Sequence, residues 1–290
     1  DLTFPVIDAQ IHQPSPPLPL PDGCDEAMRH LVNVELAREA MDSTGVDAAL
    51  VVAARPYVEA CVGRYPGRFA GVETFQTTGD DLAADIERIR DDPAYVAGRL
   101  LVTDFRTTQL SEKFVSGGMD AGFAAAEAVG LPLFLSTHGQ AAAMETHIAR
   151  HPGLTVIIDH MGVSQHPVSP PRDDPWDRLD GLLALARYPN LYVKVCGLPL
   201  LSAERYPFAD ALSRLRSVIN VFGANRLMWA SDYTRLRMAK TGEAVRNRGC
   251  LYSESRDMLF HAASLSAAEK QAILGGTCMG VTSWNPSSPP

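Results

Sequence analysis

The sequence predicts an α/β fold, a single (β/α)8 barrel of the TIM type. Three observations carry that expectation. Apolar, β-rich runs alternate with helix-period segments along the chain. Eight such units fit within about 250 residues, the usual span of this barrel. Four of the runs also end in polar residues, at the end of the strands where a barrel gathers its chemistry.

The first run is Pro5–His12, ending Ile7-Asp8-Ala9-Gln10-Ile11-His12. Strict alternation puts Asp8, Gln10 and His12 on one face. That face is polar where a buried strand is apolar, which points to a reaction site rather than a core. Pro14–Gly23 follows as a stiff, extended loop on the same side. A helix over Val34–Ser43 stops at Thr44-Gly45, and Asp47–Ala53 is the second strand. Phe69–Phe75 is the third. A helical segment over Leu82–Arg90 leads to the fourth, Val96–Phe105. Ala121–Val129 is helical until Val129-Gly130-Leu131-Pro132, which opens strand five, Leu131–His138. Ala141–Arg150 is helical until His151-Pro152-Gly153, before strand six, Leu154–His160. Helical periodicity over Arg178–Tyr188 and Phe208–Phe222 flanks strand seven, Leu191–Gly197, and strand eight is Arg226–Asp232. A doubly wound open sheet is the competing architecture, but no Gly-rich phosphate loop follows the first strand. One domain is expected over residues 1–284, with Asn285–Pro290 as a poorly ordered Pro/Ser tail.

Composition bounds the function. The chain has 290 residues, 46% hydrophobic and 21% charged, which describes a globular protein with a substantial core. A net charge of -8 speaks against nucleic acid and anionic membrane as partners. It leaves room for a small acidic substrate held by a local Arg cluster. No apolar run approaches ~20 residues, and no basic-then-apolar segment opens the chain. The five cysteines, Cys24, Cys61, Cys196, Cys250 and Cys278, are odd in number with no CxxC pair. They read as reduced thiols in a cytoplasmic protein.

The candidate site lies at four strand ends. Strand one ends with Gln10 and His12, strand five with Ser136-Thr137-His138, strand six with Asp159-His160, and strand eight with Ser231-Asp232. A lone histidine is more often a structural hydrogen-bonder. Three histidines and one aspartate, each closing an apolar strand, are hard to produce by accident. His30, His147, His151 and His261 fall in helices or at helix ends and read as structural. His166 lies in a Pro-rich loop. Four arginines follow strands on the catalytic side: Arg55 after strand two, Arg106 after strand four, and Arg235 and Arg237 after strand eight. A guanidinium there can hold a carboxylate in bidentate fashion.

These residues carry a resemblance. IDAQIH, IDHMG after a His-Pro-Gly helix end, NLYVKVCG, RLMWASDYT and ILGGTCMGVTSW together resemble the amidohydrolase superfamily, in its amidohydrolase-2 branch of lactonases and decarboxylases. The resemblance covers nearly the whole chain. It implies the barrel, hydrolysis or C–C cleavage of small acids, and in many members a mononuclear metal site. The chain departs from the branch in places. The usual HxH of strand one is Gln10-x-His12, strand four offers no obvious Lys carbamate or metal-ligand Glu, and the strand-seven KxSG is Lys194-Val195-Cys196-Gly197. Arg99 follows Gly98 one place earlier than the family's arginine, so it is expected on the opposite barrel face. The lactonase-like members resemble the chain most, and some of them work without metal.

The expected activity is therefore ring opening of a small lactone or related cyclic acid. Asp232 is the expected general base, with His12, His138 and His160 stabilising the carbonyl oxygen. Cofactors are expected to be none, or one divalent metal, zinc or manganese, held by His12, His138 and Asp232. An amide binds such ions poorly and keeps an N–H donor, so Gln10 is expected to contact substrate beside a weak or empty metal site. The other readings are a metal-dependent decarboxylase of an aromatic or unsaturated acid and a non-catalytic ligand-binding barrel. The expected partner is a small molecule, a carboxylated ring, and the chain alone leaves a homodimer open.

Overall fold

The structure is a computed structural model that describes residues 4–14, 23–164, 172–235 and 250–286. Eight short parallel strands form one sheet in chain order: β1 (Ile7–Ile11), β2 (Ala48–Val51), β3 (Phe69–Thr74), β4 (Tyr95–Leu101), β5 (Leu133–Ser136), β6 (Val156–Ile158), β7 (Leu191–Cys196) and β8 (Leu227–Ala230). The chain beyond β8 returns to β1 and closes the ring. The His12 N–H donates to the Tyr233 carbonyl (2.6 Å), and the Asp232 N–H donates to the Gln10 carbonyl (3.1 Å). The architecture is the expected (β/α)8 barrel. Among the described residues, no helix is long and apolar enough to cross a membrane.

The crossovers carry α1 (Glu26–Thr44), α2 (Arg55–Arg64), α3 (Gly79–Arg90), α4 (Glu112–Val115), α5 (Asp120–Val129), α6 (Glu145–Arg150), α7 (Leu179–Leu183) and α8 (Ala209–Phe222). After β8 come α9 (Tyr252–Phe260), α10 (Ala267–Gln271) and α11 (Thr277–Thr282). Local chemistry explains their ends. The Asp25 side chain accepts from the Met28 N–H to cap α1, and Gly45 stops it in the left-handed region at φ 64. Gly130 ends α5 in the same way at φ 67. Helix α2 was not among the expected helices, although Pro56 in its first turn is a start signal.

Two apolar layers result. Between strands and helices lies one continuous core, including Val51, Phe69, Phe123, Leu135 and Trp229. Inside the ring lies a second, built from Ile7, Leu50, Phe134, Ile157 and Met228. Cys278, Met279 and Trp284 pack against this inner core from the end of the chain. That packing covers the floor of the barrel, and in this fold chemistry is gathered at the C-terminal ends of the strands.

One expectation fails in an informative way. Strands β5, β6 and β8 stop two residues short of their predicted ends, at Ser136, Ile158 and Ala230. The residues beyond them, His138, His160 and Asp232, have left-handed backbones at φ 37, 53 and 64. No β-strand accommodates that conformation. The apolar pattern is right about the strands, but the final polar residues belong to turns.

Candidate active site at the barrel mouth

Strand β1 supplies the first part of the site through an irregularity. Its pairing with β2 shifts register between Asp8 and Ile11. The shift breaks the alternation that would put Asp8, Gln10 and His12 on one face. Asp8 instead turns toward the β8 seam. There it accepts from the Ser231 N–H (2.9 Å), the Ser231 hydroxyl and the Tyr252 hydroxyl (2.8 Å). Gln10 and His12 point into the mouth.

The Gln10 amide is oriented by what surrounds it. Its Oε1 accepts from Lys194 Nζ (2.5 Å), which can only donate. Its Nε2 therefore donates to Asp232 Oδ1 (2.8 Å) and faces His12 Nε2 at 3.1 Å. His12 Nδ1 is 2.7 Å from the Val52 carbonyl, so this nitrogen carries a proton and Nε2 faces Asp232. His12 Nε2 and Asp232 Oδ1 are 2.8 Å apart. Two lone pairs repel at that distance, so this contact is a place for one proton. Burial lowers the His12 pKa, against the pull of Asp232. Burial alone would raise Asp232, but His12, Arg235 and His160 hold it well below the usual carboxylate range. Asp232 is thus an ionised, buried carboxylate with Oδ1 engaged and Oδ2 turned toward His160 Nε2, 4.0 Å away.

His160 and His138 complete the cluster. Their ring centroids are 6.3 Å apart. Burial pulls His160 down to about 3 and His138 to about 4, the latter with help from the Arg99 charge, so both rings are neutral at ordinary pH. The Ser136 hydroxyl contacts His138 Nε2 at 2.8 Å. The structure thus brings together His12, His138, His160 and Asp232, as the strand ends predict.

Beneath them lies a charged layer that the sequence reading missed. Lys194 is fully buried, 2.8 Å from Asp159 Oδ1 and 4.2 Å from the centre of the Phe134 ring. Arg99 Nε donates to Asp159 Oδ2 at 2.8 Å. This corrects the expected outward position of Arg99. Gly98 is the residue that faces outward, where a Cβ would meet Phe75 at 2.4 Å, so its neighbour Arg99 faces in. Burial would raise the Asp159 carboxyl, but Lys194 and Arg99 hold it far below its ordinary value. A signal was available: Arg99, Asp159 and Lys194 are charged residues inside otherwise apolar strand patterns.

The expected substrate-binding arginines separate. Arg235 lies close enough for its charge to act on His12, His138 and Asp232. Arg106 sits in the exposed turn after β4, over the Phe105 ring. Arg55 is not brought to the mouth. It opens α2 and is tied to Asp92 (3.0 Å) and the Tyr95 ring in the outer layer. Arg237 and His166 lie outside the described residues, as do most of the loop over 14–23 and the last four residues of the tail. Among the histidines read as structural, His151 bonds Glu127 (2.8 Å), and His147 stacks on Phe123.

The donors at the mouth suit a divalent ion. Among the described residues, His160, Cys196 and Asp232 are buried and place one ligand atom each within 4.8 Å of the others. Imidazole, thiol and carboxylate are all ordinary zinc ligands. His138 lies outside this group, and Gln10 offers it no oxygen, because Oε1 is held by Lys194.

Comparison with known proteins gives the family and the fold. An amidohydrolase family model matches residues 7–278. An L-fucono-1,5-lactonase from Burkholderia ambifaria is 29% identical over 166 residues, 55% of this chain. The match spans about half of that relative, 53% of its length. An amidohydrolase structure from Burkholderia multivorans with bound zinc superposes with a TM-score of 0.70 at 20% identity, over 97% of this chain and 99% of that one. A candidate 2-pyrone-4,6-dicarboxylic acid hydrolase from Pseudomonas putida gives 0.68 at 18% identity, over 99% and 100%. At such identities the two superpositions speak for the fold.

Proposed function

This chain belongs to the amidohydrolase family, and on that premise we propose that it is a hydrolase that opens the ring of a small lactone or related cyclic acid. The observation that carries the reading is Asp232. It is a buried carboxylate kept ionised at the mouth, with a proton-sized contact of 2.8 Å to His12 on one oxygen.

Ring opening follows from that arrangement. Asp232 takes a proton from water as the water oxygen bonds to the lactone carbonyl carbon. The proton comes to rest on Asp232 Oδ2, because Oδ1 already holds Gln10 and His12. Charge develops on the carbonyl oxygen, and the neutral imidazoles of His138 and His160 serve it as N–H donors. The C–O bond of the ring then breaks, and the ring oxygen leaves with the stored proton as a hydroxyl. The product is the hydroxy acid. Gln10 does not need to touch substrate in this scheme, because its amide is committed to Lys194, Asp232 and His12. Arg235 is the substrate-carboxylate partner supported best, because its charge reaches His12, His138 and Asp232. Arg106, exposed after β4, is a further contributor, as is Arg237 from its place in the sequence after strand eight.

A divalent ion such as zinc, bound at this mouth, would polarise the carbonyl and lower the pKa of its water. His160, Cys196 and Asp232 are the residues placed to hold it, with His12 behind Asp232. His138 then remains the neutral donor.

The test is a panel of lactones that includes L-fucono-1,5-lactone, other sugar-acid lactones and 2-pyrone-4,6-dicarboxylate. Proton release in weak buffer reads ring opening, and the open-chain acid is identified by NMR. Turnover above the uncatalysed rate is expected for at least one member. Failure on the whole panel, or release of carbon dioxide from an aromatic acid instead, overturns the reading.

A further inference from the structure

The strand-seven cysteine stands inside the pocket, at a place where the chain departs from the pattern it resembles. We propose that this barrel binds one thiophilic divalent ion through His160 Nε2, Cys196 Sγ and Asp232 Oδ2, with Gln10 excluded from the ligand set. This deepens the hydrolase reading and rests on the same pocket.

Three features carry it. First, the donors converge. Cys196 comes from the inner face of β7, Asp232 follows β8 and His160 follows β6, and all three are buried. Their ligand atoms lie mutually within 4.8 Å. Bond lengths of about 2.0–2.3 Å around a tetrahedral ion require edges of roughly 3.3–3.7 Å, so the set closes on an ion by at most about 1.5 Å per edge.

Second, the lone pairs are available. Among the described residues, the His160 ring makes no hydrogen bond; its Nε2 faces Asp232 Oδ2 across 4.0 Å. That gap is too long for a hydrogen bond and near the sum of two metal–ligand bonds. On Asp232 the other oxygen, Oδ1, holds Gln10 and His12, which leaves Oδ2 for an ion.

Third, strand one is closed to the ion. Lys194 fixes the amide of Gln10 so that its amino group, a donor, faces the pocket. An N–H₂ group cannot ligate a cation. Cys196 loses its thiol proton to solvent as the ion binds, and the resulting thiolate supplies the negative charge and softness that an amide lacks, favouring zinc or cobalt over magnesium or manganese. The charge balance agrees. Lys194 and Arg99 share one carboxylate, Asp159, so an anionic ligand offsets part of an added double charge.

The test reads the metal directly. Purified protein is loaded with cobalt(II), and the near-ultraviolet thiolate-to-cobalt charge-transfer band is recorded; zinc-loaded protein is measured by X-ray absorption. One ion per chain is expected, with the charge-transfer band and a single sulfur neighbour at about 2.3 Å. Cys196→Ser removes both and weakens cobalt binding more than about tenfold. This variant carries the residue of the usual motif, so it is expected to fold, and circular dichroism checks that. No uptake of cobalt or zinc by the wild type, uptake without the band, or a band that survives in Cys196→Ser each overturn the inference. The lactone panel is run on the same samples. Turnover without a cobalt–thiolate band sinks this inference alone, and the band without turnover sinks the lactonase reading alone.

Discussion

At the residue scale the site is a set of side chains whose roles are set by their neighbours. Asp232 is the sharpest case. Its left-handed backbone at φ 64 is one that Asp and Asn tolerate better than other residues. Asp232→Asn should therefore fold normally while losing the base. The expected cost is about 10²–10⁴ in kcat, measured on whichever lactone the wild type turns over. Near wild-type turnover would remove Asp232 from the mechanism. Lys194 works indirectly, by orienting Gln10 and balancing Asp159. Lys194→Met leaves a buried carboxylate with Arg99 alone, and truncating one partner of such a group costs about 3–5 kcal/mol. Urea unfolding checks this. A loss below about 1 kcal/mol would mean that water or Arg99 replaces the ammonium.

At the element scale the irregularity in β1 is what makes the site. It sends Asp8 to the seam and Gln10 to the mouth, and Asp8 then ties β1 to Ser231 and to Tyr252 of α9. Burial pushes the Asp8 carboxyl up to about 6, from an ordinary 3.8, against these donors. Between those values the fold keeps a proton that the unfolded chain has released. The contribution is fully present below pH 3.8 and is lost as pH rises through about 6, by up to about 3 kcal/mol. His138 and His160 act in the opposite sense. They stay neutral in the fold while the unfolded chain protonates below 6.5, so their contribution is present above 6.5 and lost as pH falls. Asp8→Asn keeps one acceptor for the Ser231 N–H and gives the two hydroxyls a donor. Urea melts from pH 4 to 7 should then show stability rising more steeply with pH in Asp8→Asn than in the wild type. Parallel curves would show that Asp8 is ionised throughout.

At the scale of the whole molecule, one end of the barrel is sealed so that the other can react. The segment between α10 and α11 is a π-helical turn, Ala272–Gly276, packed on the start of β1. A Cβ on Gly275 would lie 2.1 Å from the Pro5 carbonyl, a rigid backbone atom. Gly275→Ala must therefore lift the floor away from β1. Overpacking of this kind costs about 1–3 kcal/mol, which thermal melts should show as a lowered Tm. If the barrel transmits nothing from floor to mouth, KM for the lactone should not change. An unchanged Tm would show that the floor is not held by this contact.

The barrel is legible in the chain, because strand–helix alternation and turn signals such as Thr44-Gly45 are local properties. The polar strand ends are legible in the same way, since His12, His138, His160 and Asp232 stand out against apolar runs, and the ring gathers these four residues at one mouth. Where the side chains point is set by contacts between strands that are distant in sequence. The shift in β1 breaks the alternation on which the single-face reading of Asp8, Gln10 and His12 depends. Arg55 sits on the catalytic side in sequence, yet it is drawn to Asp92, a residue 37 positions away. Lys194 stands on β7, Arg99 on β4 and Asp159 just after β6, and they meet only when the ring closes. The orientation of the Gln10 amide follows from that meeting, because a donor-only ammonium on β7 leaves the amide just one way to turn. Periodicity can be read along one chain segment, whereas partners brought together across a closed sheet cannot.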